Sequence, residues 1–190
     1  MKIKVSDLVA EFLKALEIKI VFGIIGSANS HIFNSISKLG YTQIICVHHE
    51  QAAVMAAGSY YRTSGKLSAA IVTAGAGSSN AITGVISNWA DSIPSIIISG
   101  QEQTIHLKKH KGLRMYGIQG FDSPDMVKNV TKYAKTIMSE GNVQSELEYA
   151  YETTLMGRPG PVWLDFPFDV QAKTIEAREW NLTIPKNTLQ

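Results

Sequence analysis

Short apolar runs rich in β-branched residues alternate with amphipathic helical patterns along most of this chain. Such alternation commits a sequence to a mostly parallel sheet, because parallel strands need helical crossovers and those crossovers cover both faces of the sheet. Helix is predicted from Val5 to Leu16, with Leu8, Val9, Phe12, Leu13 and Leu16 on one face. Strands are predicted at Ile20 to Ile24, Gln43 to Val47, Ala69 to Thr73 and Ser95 to Ser99, with helices around His31 to Leu39, Glu50 to Thr63 and Ser78 to Trp89 between them. The rhythm breaks after Gly100, where residues 101–121 are polar and glycine-punctuated; a loop that long is usually functional or mobile. A short helix near Ser123 to Val130, a strand at Tyr133 to Met138, a helix from Val143 to Met156 and a last strand at Pro161 to Asp165 complete the pattern. The expected fold is α/β: three layers, a six-stranded mostly parallel sheet with helices on both faces. Residues 1–170 form this domain, and residues 171–190, which lack the rhythm, read as the start of a linker to a further, middle domain.

The chain is long enough for one domain with a sizeable core. A net charge of +2 gives no electrostatic case for nucleic acid or an anionic membrane surface. The single cysteine, Cys46, excludes an internal disulfide framework and is compatible with a reducing compartment. No signal-peptide pattern opens the chain, and no apolar run approaches the roughly 18 residues of a membrane span. A cytoplasmic location is therefore expected.

In open parallel sheets, ligands sit beyond the carboxyl ends of the strands. Four segments fall there: Gly23 to Asn29, His48-His49-Glu50, Thr73 to Asn80, and Gly100-Gln101. Glu50 opens a helix directly after a strand; alone, it reads as a solvated residue favoured by the helix dipole. The turn Thr73-Ala74-Gly75-Ala76-Gly77-Ser78-Ser79-Asn80 reads as a tight turn or as a cradle of backbone N–H groups for an anion. It lacks the Gly-Lys-Ser/Thr ending of a Walker loop and the third glycine of the dinucleotide fingerprint. His49-Glu50-x-x-Ala53 lacks the second histidine of the zinc-protease motif. His48 and His49, adjacent in a strand end, point to opposite sides. His106 and His110 have helical i, i+4 spacing, but Lys108, Lys109, Lys111 and Arg114 around them would repel a cation. No metal site is expected in this chain. The basic segment reads as a solvated loop or as a lid for an anionic substrate.

Taken together, these motifs resemble the N-terminal, pyrimidine-binding domain of thiamine-diphosphate enzymes of the acetolactate synthase and pyruvate decarboxylase superfamily. The resemblance runs over roughly residues 3–170. Its residues are Val21-Phe22-Gly23-x-x-Gly26, His49-Glu50-Gln51-Ala52-Ala53 with Ala56-Ala57-Gly58-x-Tyr60, Thr73-x-Gly75-x-Gly77-x-x-Asn80, Ala90-Asp91-Ser92-x-Pro94, Ser99-Gly100-Gln101, Gln119, and Gly157-Arg158-Pro159-Gly160-Pro161-Val162. It implies that Glu50 is catalytic, hydrogen-bonding N1′ of the cofactor's aminopyrimidine so that the ring can take the proton from thiazolium C2. It implies further that Gly75, Ala76 and Asn80 pack beside the aminopyrimidine, and that Ser27 and Gln119 reach toward substrate. The small-residue face Ala53, Ala56, Ala57 would receive a helix across a homodimer interface that contains the active site.

Several positions depart from the family pattern. Ala76 stands where acetolactate synthases usually have proline, Gly120 where they usually have glutamate, and Ser27 where pyruvate decarboxylases carry a catalytic aspartate. The paired adjacent histidines of the decarboxylases are missing. The Gly-Asp-Gly…Asn motif that holds Mg²⁺ and the diphosphate is also missing, so the resemblance implies a diphosphate-binding domain supplied in cis or in trans. The resulting expectation is an acetolactate synthase-like carboligase or decarboxylase acting on a small 2-oxo acid, inactive as this chain alone. Two alternatives stand beside it. One is a split decarboxylase subunit of the sulfopyruvate or phosphonopyruvate type; the other is a non-catalytic interaction domain of the same fold.

Overall fold

A computed structural model describes residues 1–108 and 112–182. The elements run β1 (Lys2–Lys4), α1 (Val5–Ala15), β2 (Ile20–Gly23), α2 (Ser30–Leu39), β3 (Gln43–Cys46), α3 (Glu50–Ser64), β4 (Ala69–Val72), α4 (Ala76–Ala90), β5 (Ser95–Gln101), α5 (Thr104–Lys108), α6 (Ser123–Val127), β6 (Tyr133–Thr136), α7 (Val143–Leu155), β7 (Pro161–Pro167), α8 (Phe168–Ala172) and β8 (Thr174–Glu176). Six strands form one all-parallel sheet in the order β3-β2-β4-β5-β7-β6. The chain leaves β2 toward β3 on one side and returns past it to β4 on the other. The order therefore reverses between β2 and β4, where the connections part and leave a crevice at the carboxyl ends.

Alternation along the central strands sorts the core into two layers. Ile71, Ile96, Ile98, Val162, Leu164 and Phe166 face a cluster with α1, α2 and α7, built on Leu8, Phe12, Leu13, Ile32, Ile36 and Leu147. Ala70, Val72, Ile97 and Trp163 face the opposite way, against Ala53 and Val54 of α3, Ala81 and Val85 of α4, and Val127 of α6. Helix α1 follows from its apolar spacing: Val5, Leu8, Val9, Phe12 and Leu13 recur on one face and are buried.

Ala53 and Ala57, expected to face a helix of another subunit, are instead buried within this chain. Ala53 belongs to the cluster with Ala70, Val72 and Ile97 of the sheet, and α4 packs on α3 beside it at Val54, where a Cβ built on Gly84 would lie 2.6 Å from Val54 Cβ. Ala56 stays half-buried, and the exposed apolar side chains nearby are Met55, Ile86 and Trp89.

After Gln171, where the sequence shows no further rhythm, β8 pairs antiparallel with β1 in the register Lys2 to Glu176. Each partner is three residues long, too short for an isolated periodicity to register. Beyond it, Arg178 forks onto Glu148, Asn181 N–H donates to Glu148 Oε1 at 2.8 Å, and the ring of Trp180 packs 5.4 Å from that of Phe12. This docking has a measurable weight. Trp180→Ala is expected to lower the stability of the chain by about 2 kcal/mol, below the ~3–5 kcal/mol for truncating a fully buried aromatic side chain because the ring is only partly buried. Urea unfolding followed by circular dichroism measures it, and an unchanged midpoint would contradict the docking.

Candidate active site

Glu50 owes its position to the end of β3. Val47 N–H donates to Gly23 O, His48 follows, and His49 caps α3 in extended conformation, its Nδ1 accepting from Gln51 N–H at 3.2 Å. Glu50 is then the first residue of the helix, with its side chain turned inward and 8% exposed. Oε2 accepts a hydrogen bond from Asn80 Nδ2 at 3.0 Å. Oε1 faces Gly77, whose built Cβ would stand 3.0 Å from it. A side chain at 77 would press on the carboxylate, so the glycine leaves that oxygen open.

Asn80 arrives because α4 starts close by. Its N-cap, Gly75, has φ 70° and ψ −127°, a conformation that L residues with a Cβ rarely adopt. The same glycine packs under the segment that carries Gln119: a Cβ there would meet Gln119 Cβ at 3.0 Å. Ala76 is exposed as the first residue of α4, and its carbonyl accepts from the Ser79 hydroxyl at 3.0 Å. Glu50, Gly75, Ala76 and Asn80 thus lie around one turn, with Gln119 directly over it.

Ser27 lies on a 3-10 turn after β2 that Asn29 fixes, accepting from Gly26 N–H at 2.8 Å and donating to Ile24 O at 3.0 Å. Ser27 and Gln119 line one cavity of about 230 Å³, together with Gln101, Glu102, Gln103 and Phe168. Of the basic segment, His106 lies on α5, whereas Lys109, His110 and Lys111 lie outside the described residues. Among the described residues, no group of three or more His, Cys, Asp or Glu is placed to hold a metal ion, and no helix is long and apolar enough to cross a membrane.

Sequence reasoning named Thr73 and Gln101 only inside motifs, without a role, and passed over Asp165 and Glu102 as site residues. Thr73 is wedged between two glycines: built Cβ atoms on Gly26 and Gly77 would lie 2.4 and 2.6 Å from its side chain. Its buried hydroxyl has no hydrogen-bond partner. Asp165 is completely buried on β7. Its Oδ1 meets the Ser99 hydroxyl and accepts from Trp163 Nε1 at 2.7 Å; its Oδ2 accepts from Gln101 Nε2 at 2.9 Å. Gln101 in turn donates to Phe121 O at 2.7 Å, tying the carboxyl to the loop that carries Gln119. Glu102 comes next in sequence. A lone acid inside the apolar run Pro161 to Phe166, on the same face as Trp163, was the available signal for Asp165.

Burial pushes the Asp165 carboxyl from an ordinary 3.8 up to about 7, helped by the negative charge of Asp122 and opposed by the bonds from Trp163 and Gln101. The folded state then holds a proton that the unfolded chain has already released. Stability must therefore fall as pH rises from about 4 to 7 and level off above. Asp165→Asn removes this titration. The stability difference, wild type minus Asp165→Asn, is expected to drop by up to about 4 kcal/mol across that window. Urea melts at pH 4.5 and 8 test this, and a pH-independent difference would count against it.

Compared with known proteins, residues 3–126 match the family model described as thiamine pyrophosphate enzyme, N-terminal TPP binding domain. The acetolactate synthase large subunit of Haemophilus influenzae is 33% identical over 96% of this chain and 33% of its own length. That of Lactococcus lactis is 34% identical over 93% of this chain and 29% of its own length. Acetolactate synthase isozyme 3 large subunit of Escherichia coli is 33% identical over 87% and 28%. The chain thus spans about a third of the length of these curated relatives. With the parallel sheet, the crevice at its strand order reversal and this match in hand, the chain belongs to the thiamine pyrophosphate enzymes of the acetolactate synthase superfamily, as their N-terminal domain.

Proposed function

We propose that this chain supplies the aminopyrimidine half of the active site in a thiamine-diphosphate-dependent, acetolactate synthase-like carboligase acting on a small 2-oxo acid. The observation that carries the reading is the Glu50 carboxylate. It is buried at the crevice, holds one side-chain partner in Asn80, and keeps its second oxygen open beside Gly77. A buried carboxylate with an open oxygen suits a ring nitrogen that shares a proton, so the residues present fit the group. Bound there, thiamine diphosphate would act as the electron sink for carbon–carbon bond cleavage and formation next to a carbonyl.

This chain's own residues would do four things. Glu50 would hold the shared proton at the pyrimidine N1′. Asn80 would fix the rotamer of that carboxylate through its amide. Gly75 and Ala76, with no bulk beyond a methyl group, would let the ring lie on the turn. Ser27 and Gln119 would present a hydroxyl and an amide to the substrate from their shared cavity. The diphosphate and Mg²⁺ would be bound by another domain, in cis or in trans, so the chain alone would be inactive and would bind the cofactor weakly. A homodimer with the site between subunits and a cytoplasmic location complete the proposal.

The alternative of a non-catalytic interaction domain fits less well, because a buried carboxylate with one partner is costly to keep without a ligand. The decarboxylase alternative rests on the basic segment, part of which lies outside the described residues, and no observation favours it.

Glu50→Gln tests the proposal in the complete enzyme, whether formed by a longer chain or an assembly. The amide preserves shape and the contact with Asn80 but cannot share the proton. Turnover of 2-oxo acid is expected to fall on the order of 10²-fold or more, the usual scale of general acid–base assistance. Near-normal turnover would sink the assignment.

A further inference from the structure

Gln119 sits on a segment with little regular structure of its own: the bridge Tyr116 to Gly120, closed by backbone hydrogen bonds of 2.8 and 2.7 Å. Two backbone amides within it, Ile118 N–H and Gln119 N–H, find no carbonyl. Both donate to Glu102 Oε1, at 3.3 and 3.1 Å. Glu102 follows the last residue of β5, a strand buried along its whole length, so its backbone is anchored.

The loop is shaped around this side chain. Gly117 has φ +55°, and its built Cβ would lie 2.5 Å from Glu102 Oε2; one on Gly120 would lie 2.6 Å from Glu102 Cγ and 2.8 Å from Gln101 Oε1. Two glycines thus make a trough that Glu102 fills, with Gln101 Oε1 at its edge. On its other side, the same loop rests on Gly75, the N-cap of α4. Loop position is therefore set between one carboxylate and one turn.

We propose that Glu102 is a positioning residue: its carboxylate struts the 116–120 loop so that Gln119 is held over the Gly75 turn and facing the cavity it shares with Ser27. The proposal rests on the functional reading above for the importance of Gln119, but the strut itself does not. The physical case is simple. Two adjacent N–H groups aimed at one anionic oxygen make charge-assisted hydrogen bonds, and removing the acceptor leaves both to water. The loop then loses the tie that sets its height above the turn.

The test has two readouts. Amide hydrogen exchange on the 190-residue chain compares wild type, Glu102→Ala, Glu102→Gln and Gly117→Ala. Glu102→Ala is expected to speed exchange at Ile118 and Gln119 about tenfold or more while β5 and β7 stay protected, showing that the fold is intact. Glu102→Gln, which keeps one acceptor oxygen, should restore most of the protection. Gly117→Ala, whose methyl group would press on the carboxylate from a backbone position that disfavours a side chain, should reproduce the loss. In the complete enzyme, Glu102→Ala should raise KM for the 2-oxo acid about tenfold with a smaller change in kcat, and leave cofactor affinity unchanged, because Glu50 and Asn80 are untouched. Unchanged exchange at both amides overturns the strut. Faster exchange with an unchanged KM overturns the claim that the strut serves substrate. Failure of the functional reading shows elsewhere, as normal turnover in Glu50→Gln, and leaves the exchange result standing.

Discussion

The site depends on crowding at the carboxyl ends of β2 and β4. These neighbouring strands send their chains to opposite faces of the sheet, and Thr73 fills the fork between them. Cβ atoms on Gly26 and Gly77 would both collide with Thr73, so the two turns close on it only as glycines. That closeness brings the start of α4 against the start of α3, within reach of a 3.0 Å hydrogen bond from Asn80 to Glu50. The acid is thus placed by backbone approach rather than by a long side chain searching for a partner. The unpartnered Thr73 hydroxyl is the local cost of that packing.

A second layer lies beneath the crevice and is polar where a sheet core is usually apolar. Asp165 takes bonds from Trp163 and Gln101 and meets Ser99; the Ser123 hydroxyl donates to that of Ser78 and ties α6 to α4. An apolar residue at 165 would leave the Trp163 N–H and one of the two Gln101 amide N–H groups buried without an acceptor, a larger cost than a partly protonated carboxyl that satisfies them. The Asp165–Gln101 pair also reaches the loop through Phe121 O. The tip of β5 therefore holds that loop twice, once through a neutral amide and once through the Glu102 carboxylate.

How much of this was legible follows from the range of the contacts. All six strands of the main sheet and the long helices between them were visible, because they carry apolar residues at a fixed period; the short α5 fell in a stretch read as loop. Glu50, Gly75 and Asn80 were legible as candidates since topology alone brings strand ends to one edge. What escaped was short or long-range. β1 and β8 have three residues each and meet across the length of the chain, leaving no local period to detect. Glu102 looked like one more polar residue in a polar loop, and its partners are backbone amides, which carry no sequence signal. Ala53 and Ala57 were read as facing a helix, but both are buried within the chain, since side-chain size does not tell what a small face packs against.

The departures from the family pattern are not equivalent once placed. Ala76 is the first residue of α4, where the backbone N–H needs no helical partner, so proline and alanine are geometrically interchangeable there. Gly120 is different. Any side chain at that position runs into Glu102 Cγ, Gln101 Oε1 and the Tyr116 carbonyl. A glutamate at 120 and the Glu102 strut therefore compete for one volume. In this chain the carboxylate beside the Gln119 loop is delivered from the end of a buried strand, and the loop has no side chain at 120 to compete with it.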